Sequence, residues 1–147
     1  MDIIHKSWKI TTPPLKKLLS HTITHSLSRH LDRTKFEVVF EGFLDSENSS
    51  SEQPDVVIYS KKQDFKPIIA IEVCTTEEIV EMVFLAKHLA ETYQLREFFI
   101  FNYKTDQWLL IDRHGLQNSS SYSSFLSVDL KKMIDLFPFD KLKTGNH

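Results

Sequence analysis

Glycine is scarce in this chain, with three in 147 residues, and none of them falls in a pattern that would cradle a phosphate or build a nucleophile elbow. Cysteine is scarcer still. One residue, Cys74, excludes an internal disulfide and a zinc-ribbon spacing, and it fits a reducing, cytoplasmic setting. No run of about 18 apolar residues occurs, so no membrane partner is expected. The opening "MDIIHKSWKITTPP" lacks the charged-then-apolar layout of a signal peptide. Neither sign of charge dominates: 18 Lys and Arg face 20 Asp and Glu, for a formal net charge of −2. Bulk charge therefore does not announce a nucleic-acid binder, and such a role would need a local basic patch. The lysine pairs 16–17, 61–62 and 131–132 read first as solvated surface.

What is present suits a single domain over residues 1–147, with 41% hydrophobic residues and no linker or internal repeat. "TTPPLKKLLSHTITHSLSRHLDR" reads as a helix with Thr12 as N-cap and Pro13 in its first turn. Leu15, Leu19, Ile23, Leu27 and Leu31 supply its apolar face. "KFEVVFEGFLD" alternates like a half-buried strand that Gly42 bends, and "DSENSSSEQP" is loop. Strands over 55–59 and 68–73 follow. A helix then opens at Thr75 or Thr76 and buries Ile79, Val83, Ala86, Ala90 and Tyr93. "REFFIFNY" and "QWLLID" form a hairpin, "GLQNSSSYSS" is loop, and a last helix is capped at Ser127. The order is α-β-β-β-α-β-β-α, which predicts a mixed sheet flanked by helices, an α/β fold.

Within this plan "PDVVIYSKKQDFKPIIAIEVC" is unusual, because each of two core strands carries a carboxylate. Alternation puts Ile68, Ala70, Glu72 and Cys74 on one face of their strand. A hairpin turn at 61–66 pairs Tyr59 with Ile68, and the same register sets Asp55 opposite Glu72. Their Cβ atoms then lie about 4.5–5.5 Å apart. Carboxylates so placed repel one another and resist desolvation, and a divalent cation between them would reverse that balance. The plain alternative is that both acids sit at wet strand ends. A one-residue slip would separate them onto opposite faces.

Asp after Pro at one strand start, and Glu near the end of the next, resembles the PD-(D/E)XK nuclease superfamily. "IEVCTTEEI", then Lys87, then Glu97, Phe98 and Phe99, looks like the Uma-type restriction endonuclease family, and His21, Ser26 and Leu27 echo its first helix. The likeness runs over residues 17–137. It implies a restriction-endonuclease-like fold and a metal-dependent phosphodiesterase acting on nucleic acid, DNA first. In that reading Asp55, Glu72 and the backbone carbonyl of Val73 hold Mg²⁺ or Mn²⁺, and a lysine orients or deprotonates the attacking water. Relatives of this fold often pair, so a homodimer belongs to the expectation. The chain departs from the superfamily at Cys74, where Glu-x-Lys would place its ammonium. The Uma-type pattern moves that lysine to the following helix, where Lys87 is the only one. The rival reading is a catalytically inactive relative that keeps the sheet as a protein- or nucleic-acid-interaction module.

Other candidates have plainer explanations. His21 and His25 stand at i, i+4 without a third ligand and read as solvated, and His30 reads as a packed core histidine. In the family-like reading His21 borders the active-site cleft. Glu41, or less favourably Glu37, offers a further carboxylate from the first strand. Cys74 as nucleophile is rejected, since neighbouring carboxylates would raise its pKa.

Overall fold

A computed structural model describes residues 14–45 and 52–134. Helix α1 (Pro14–His30) is followed by strands β1 (Phe36–Phe40), β2 (Val56–Ser60) and β3 (Lys66–Cys74). Helix α2 (Ile79–Thr92) comes next, then β4 (Glu97–Asn102) and β5 (Gln107–Asp112). Three two-residue strands follow, β6 (Gln117–Asn118), β7 (Tyr122–Ser123) and β8 (Val128–Asp129), and then helix α3 (Leu130–Ile134). Strands β1 to β6 form one sheet in sequence order, and β7 pairs with β8. All neighbours in the large sheet are antiparallel except β3 and β4, which run parallel with α2 as their crossover. This is the mixed sheet flanked by helices that the element order predicts.

The sheet is buried on both faces because its central strands are apolar at nearly every position. Ile69, Ile71, Val73, Phe99 and Phe101 pack with Leu19, Ile23 and Leu27 of α1. Val57, Ala70, Phe98, Ile100 and Ile111 pack with Ala86, Leu89 and Ala90 of α2. α1 carries many hydroxyls, and it tolerates them because they bond back within the helix. Ser20 Oγ donates to the Lys16 carbonyl at 2.9 Å and Thr24 Oγ1 to that of Ser20 at 2.9 Å. Buried Ser26 instead donates to the Met133 carbonyl at 2.8 Å and docks α3.

Several local readings are corrected. The β2–β3 register shifts between Ile58 and Tyr59, so Tyr59 pairs with Pro67 and not with Ile68. The extra residue of this bulge, Ile68, joins the α1-side core beside Ile69 rather than sharing a face with Ala70. His30 is exposed and its Nδ1 lies 2.8 Å from the Ser26 carbonyl, so it is not a core histidine. The "GLQNSSSYSS" segment contains β6 and β7. α3 begins at Leu130, where Asp129 Oδ1 accepts from the Lys131 N–H, whereas Ser127 has φ 58°. The bend after β1 belongs to Glu41, with φ 50°. Gly42 serves a different purpose: a Cβ there would sit 2.6 Å from Tyr59 Oη and 3.1 Å from Val57 Cβ. The expected cap at Thr12 and Pro13 and the tail beyond 134 lie outside the described residues.

Candidate active site

β2 and β3 deliver the two acids. Asp55 stands directly before β2, and the pairing of Val56 with Ile71 carries it opposite Glu72. Two reciprocal hydrogen bonds lock the pair. The Val73 N–H donates to Asp55 Oδ2 at 2.8 Å, and the Asp55 N–H donates to Glu72 Oε1 at 2.9 Å. Each carboxylate is thus held by the backbone of the opposite strand. Because the Val73 N–H points toward β2, the alternation of an antiparallel ladder makes 55/72 a non-hydrogen-bonded pair. Side chains come closest at such positions, with Cα atoms about 4.5 Å apart. A strand residue's N–H and C=O point to the same edge, so the Val73 carbonyl also turns toward Asp55. The Cys74 carbonyl turns the other way and accepts from the Tyr103 N–H at 3.2 Å.

Burial dominates the electrostatics. Glu72 is 9% exposed, and desolvation holds its carboxyl well above the ordinary glutamate value, with Asp55's charge adding to the rise. Desolvation also raises Asp55, although part of that residue reaches solvent. Lys16 pulls both acids down without reversing the outcome.

The residues around the pair divide into those the fold brings to it and those it keeps away. Lys16 of α1 is 5% exposed, and its charge acts on Asp55, Glu72, Cys74 and Tyr103. Glu41 is half-buried, its N–H donates to the Asp55 carbonyl at 2.9 Å, and its charge raises Asp55. Cys74 is buried, and its thiol is pushed up to about 12 by desolvation and then by Glu78, which rules it out as a nucleophile near neutral pH. Glu78 is fixed by accepting from the Thr75 N–H at 3.0 Å and the Thr75 hydroxyl at 2.9 Å, a capping box at the entry to α2. Lys87 is exposed on α2. His21 is exposed and stacks on Phe40 with ring centroids 3.8 Å apart. Glu37 pairs with Lys61 at 3.5 Å, toward the far end of β2.

Glu97 is buried at the start of β4, away from the acid pair. It accepts from the Ser123 hydroxyl at 2.5 Å and the Ser124 N–H at 3.0 Å, so it clasps the segment leading to α3.

The donors fit a hard divalent cation in chemistry: two carboxylates in mutual repulsion and a backbone carbonyl turned toward them. They do not amount to a cage of side chains. Among the described residues no group of three or more His, Cys, Asp or Glu is placed to hold a metal ion.

No protein-family model matches the sequence, and no curated protein is similar enough in sequence to stand as a relative. Solved structures do match. A candidate nuclease of the DUF820 group from Anabaena variabilis superposes with a TM-score of 0.61 at 8% identity, covering 84% of this chain and 82% of that one. The chain has a restriction-endonuclease-like fold. The type IIG restriction endonuclease BpuSI matches at a TM-score of 0.50 and 15% identity, over 87% of this chain and 16% of BpuSI. In this restriction-endonuclease-like frame Asp55 directly precedes β2 and Glu72 lies on the adjacent β3. No helix among the described residues is long and apolar enough to cross a membrane.

Sequence reasoning passed over Lys16, reading it with Lys17 as a surface pair. A signal was there: Lys16 lies three, four and seven residues before Leu19, Ser20 and Ile23, on the sheet-facing stripe, whereas Lys17 is exposed.

Proposed function

We propose that the chain is a divalent-metal-dependent nuclease of the Uma-type kind, with Asp55, Glu72 and the Val73 carbonyl as metal ligands and nucleic acid, DNA first, as substrate. The observation that carries this reading is the interlocked acid pair. A chain would not gain by burying two carboxylates against each other in a sheet unless something positive resolved the repulsion. The likeness in fold to a candidate nuclease and to a restriction endonuclease supports the same reading. When bound, Mg²⁺ or Mn²⁺ would supply Lewis-acid activation of water and of the phosphate.

The chain's own residues have distinct parts in this scheme. Asp55 and Glu72 present oxygens whose positions are fixed by backbone N–H groups, so little reorganisation is needed on loading. Burial raises both carboxyls and both must be ionised to ligate, so metal affinity should rise with pH. Lys87, the lysine implied by the resemblance, would have to reach the acids from an exposed position on α2.

The test combines calorimetric titration of Mn²⁺ and Mg²⁺ with cleavage assays on labelled single- and double-stranded DNA and RNA. Wild type should bind the metal and cut, while Asp55→Asn and Glu72→Gln should do neither. Metal binding without cleavage of any of the four substrates would favour the interaction-module reading. Absence of both would refute the metal centre.

A further inference from the structure

We infer that the chain binds a ligand carrying several phosphate groups in a cationic cavity at the end of the sheet opposite the acid pair, anchored by Lys66, Arg96 and Arg113. The inference does not depend on the nuclease reading. β3 begins at Lys66 and reaches Glu72 six residues later, so the cavity lies about 20 Å from the acids along the strand.

The first ground is convergence. A cavity of about 430 Å³ is lined by Lys66, Glu91, Gln94, Arg96, Arg113 and His114. Lys66 opens β3, Arg96 leads into β4 and Arg113 leaves β5, so three separate stretches each deliver one permanent cation. Glu97 pairs with Asp112, which sets Arg96 and Arg113 on either side of the last rung of the β4–β5 ladder. Cations gathered in this way repel one another, and an anion among them reverses that balance. The second ground is that the charges are uncancelled. Among the described residues Lys66, Arg96 and Arg113 take part in no ion pair, since the pairs present join Lys61 to Glu37 and Lys131 to Asp106. Glu91 is the one carboxylate of the lining, set against three permanent cations in a chain whose formal net charge is −2. Asp112, next to Arg113, is committed to its own turn, where Oδ1 accepts from the His114 N–H at 2.8 Å and the Leu116 N–H at 2.9 Å. The Arg96 guanidinium lies 5.4 Å from the centre of the Phe125 ring, a contact that steadies the arm and leaves its charge in place.

The donor set selects the guest. Guanidinium groups meet phosphate oxygens with paired N–H donors, and lysine adds a compact point charge. The volume falls within the range of pockets that hold molecules of nucleotide size. A compact space of this size is about one Debye length across at physiological salt, about 8 Å, so all three cations act on one guest. Three cations from three stretches suit a row of phosphates better than a single one. Such a row occurs in a nucleoside triphosphate and in the backbone of a nucleic acid, and the chemistry of recognition is the same for both.

The experiment uses the full chain at low salt with EDTA present, which keeps divalent metal away from the acid pair. ATP and citrate are titrated by calorimetry, and labelled single-stranded DNA by fluorescence anisotropy. Wild type should bind ATP, the DNA or both, and whichever binds identifies the source of the phosphates. Lys66→Ala and Arg113→Ala should each weaken that binding by about three- to tenfold, and Arg113→Glu by more. If the DNA is the ligand, each lost cation should also flatten the log–log salt dependence by about 0.7. Lys132→Ala removes an exposed lysine of α3 outside the cavity and should bind as wild type does. Circular dichroism checks that each variant is folded. Binding of neither phosphate probe by wild type would overturn the inference, as would citrate held as tightly as ATP and the DNA. Equal losses in Lys132→Ala and Arg113→Ala would also overturn it, because they would show diffuse surface charge instead of a site. None of these results touches the metal centre, which the Mn²⁺ titration tests separately.

Discussion

Replacing Glu72 by Gln should make the metal-free protein more stable at neutral pH, against the usual direction for a change in a buried strand. Gln keeps an oxygen where Glu72 Oε1 accepts from the Asp55 N–H, so that 2.9 Å bond survives. It also removes one of two charges that face each other and supplies an amide donor to the Asp55 carboxylate. A hydrogen bond to a charged partner contributes about 1.5–3 kcal/mol, which sets the expected gain. At about 2–4 °C per kcal/mol for a chain of this size, the melting temperature should rise by about 3–12 °C. The sign depends on pH. Both carboxyls have raised folded values, so the wild type binds more protons folded than unfolded and loses stability as pH climbs from the ordinary carboxyl range through those values. Below that window the difference between Gln and Glu should vanish. Adding Mn²⁺ should stabilise wild type by about 2.7 kcal/mol at a hundredfold excess over its dissociation constant, and leave Glu72→Gln unchanged. Thermal melts at several pH values, with and without metal, measure all of this. Equal destabilisation of Glu72→Gln at acid and neutral pH would show that the acids do not strain one another, and the argument for a metal between them would go with it.

Gly42→Ala should cost about 1–3 kcal/mol by urea unfolding, since its Cβ would meet Tyr59 Oη at 2.6 Å; adding Tyr59→Phe should recover part of the loss. Glu97→Ala should cost about 1–3 kcal/mol by leaving the Ser123 hydroxyl and Ser124 N–H without their carboxylate, with faster hydrogen exchange at Ser124 as the local readout. Cys74, buried with its thiol pushed up to about 12, should resist iodoacetamide at pH 8 until the protein is unfolded, as mass spectrometry would show. Lys87 is exposed on α2, so Lys87→Ala should change stability by no more than about 0.5 kcal/mol in urea unfolding, and it should abolish cleavage if Lys87 supplies the ammonium that position 74 lacks.

Much of the architecture was legible because local signals agreed with one another. The apolar stripes of α1 and α2, the alternation of β1 and the Thr75 cap each pointed to one element. The pairing of Asp55 with Glu72 could be read because both lie where the β2–β3 ladder is regular. Less visible was whatever depends on tertiary space. Nothing local to Lys16 separates it from Lys17 except helical phase, and phase means little until the sheet's position is known. Gly42 looked like a bend because glycine usually is one, yet its small size is used to admit the Tyr59 ring. His30 shares the apolar stripe of α1 by spacing, but it is exposed in the last turn and its ring turns back to the Ser26 carbonyl.

The bulge between Ile58 and Tyr59 also bears on how this protein can change. Side-chain facing in a strand is a matter of parity, so one inserted or deleted residue ordinarily turns everything beyond it over. Here the spare residue Ile68 stands between the hairpin tip and the acids. A change of length among residues 61–65 has a place to be absorbed before it reaches the pairing of Val56 with Ile71. A tip of different length can therefore leave Asp55 and Glu72 face to face. The same edit between Ile69 and Glu72 has no such slack and would send the glutamate to the opposite side of the sheet.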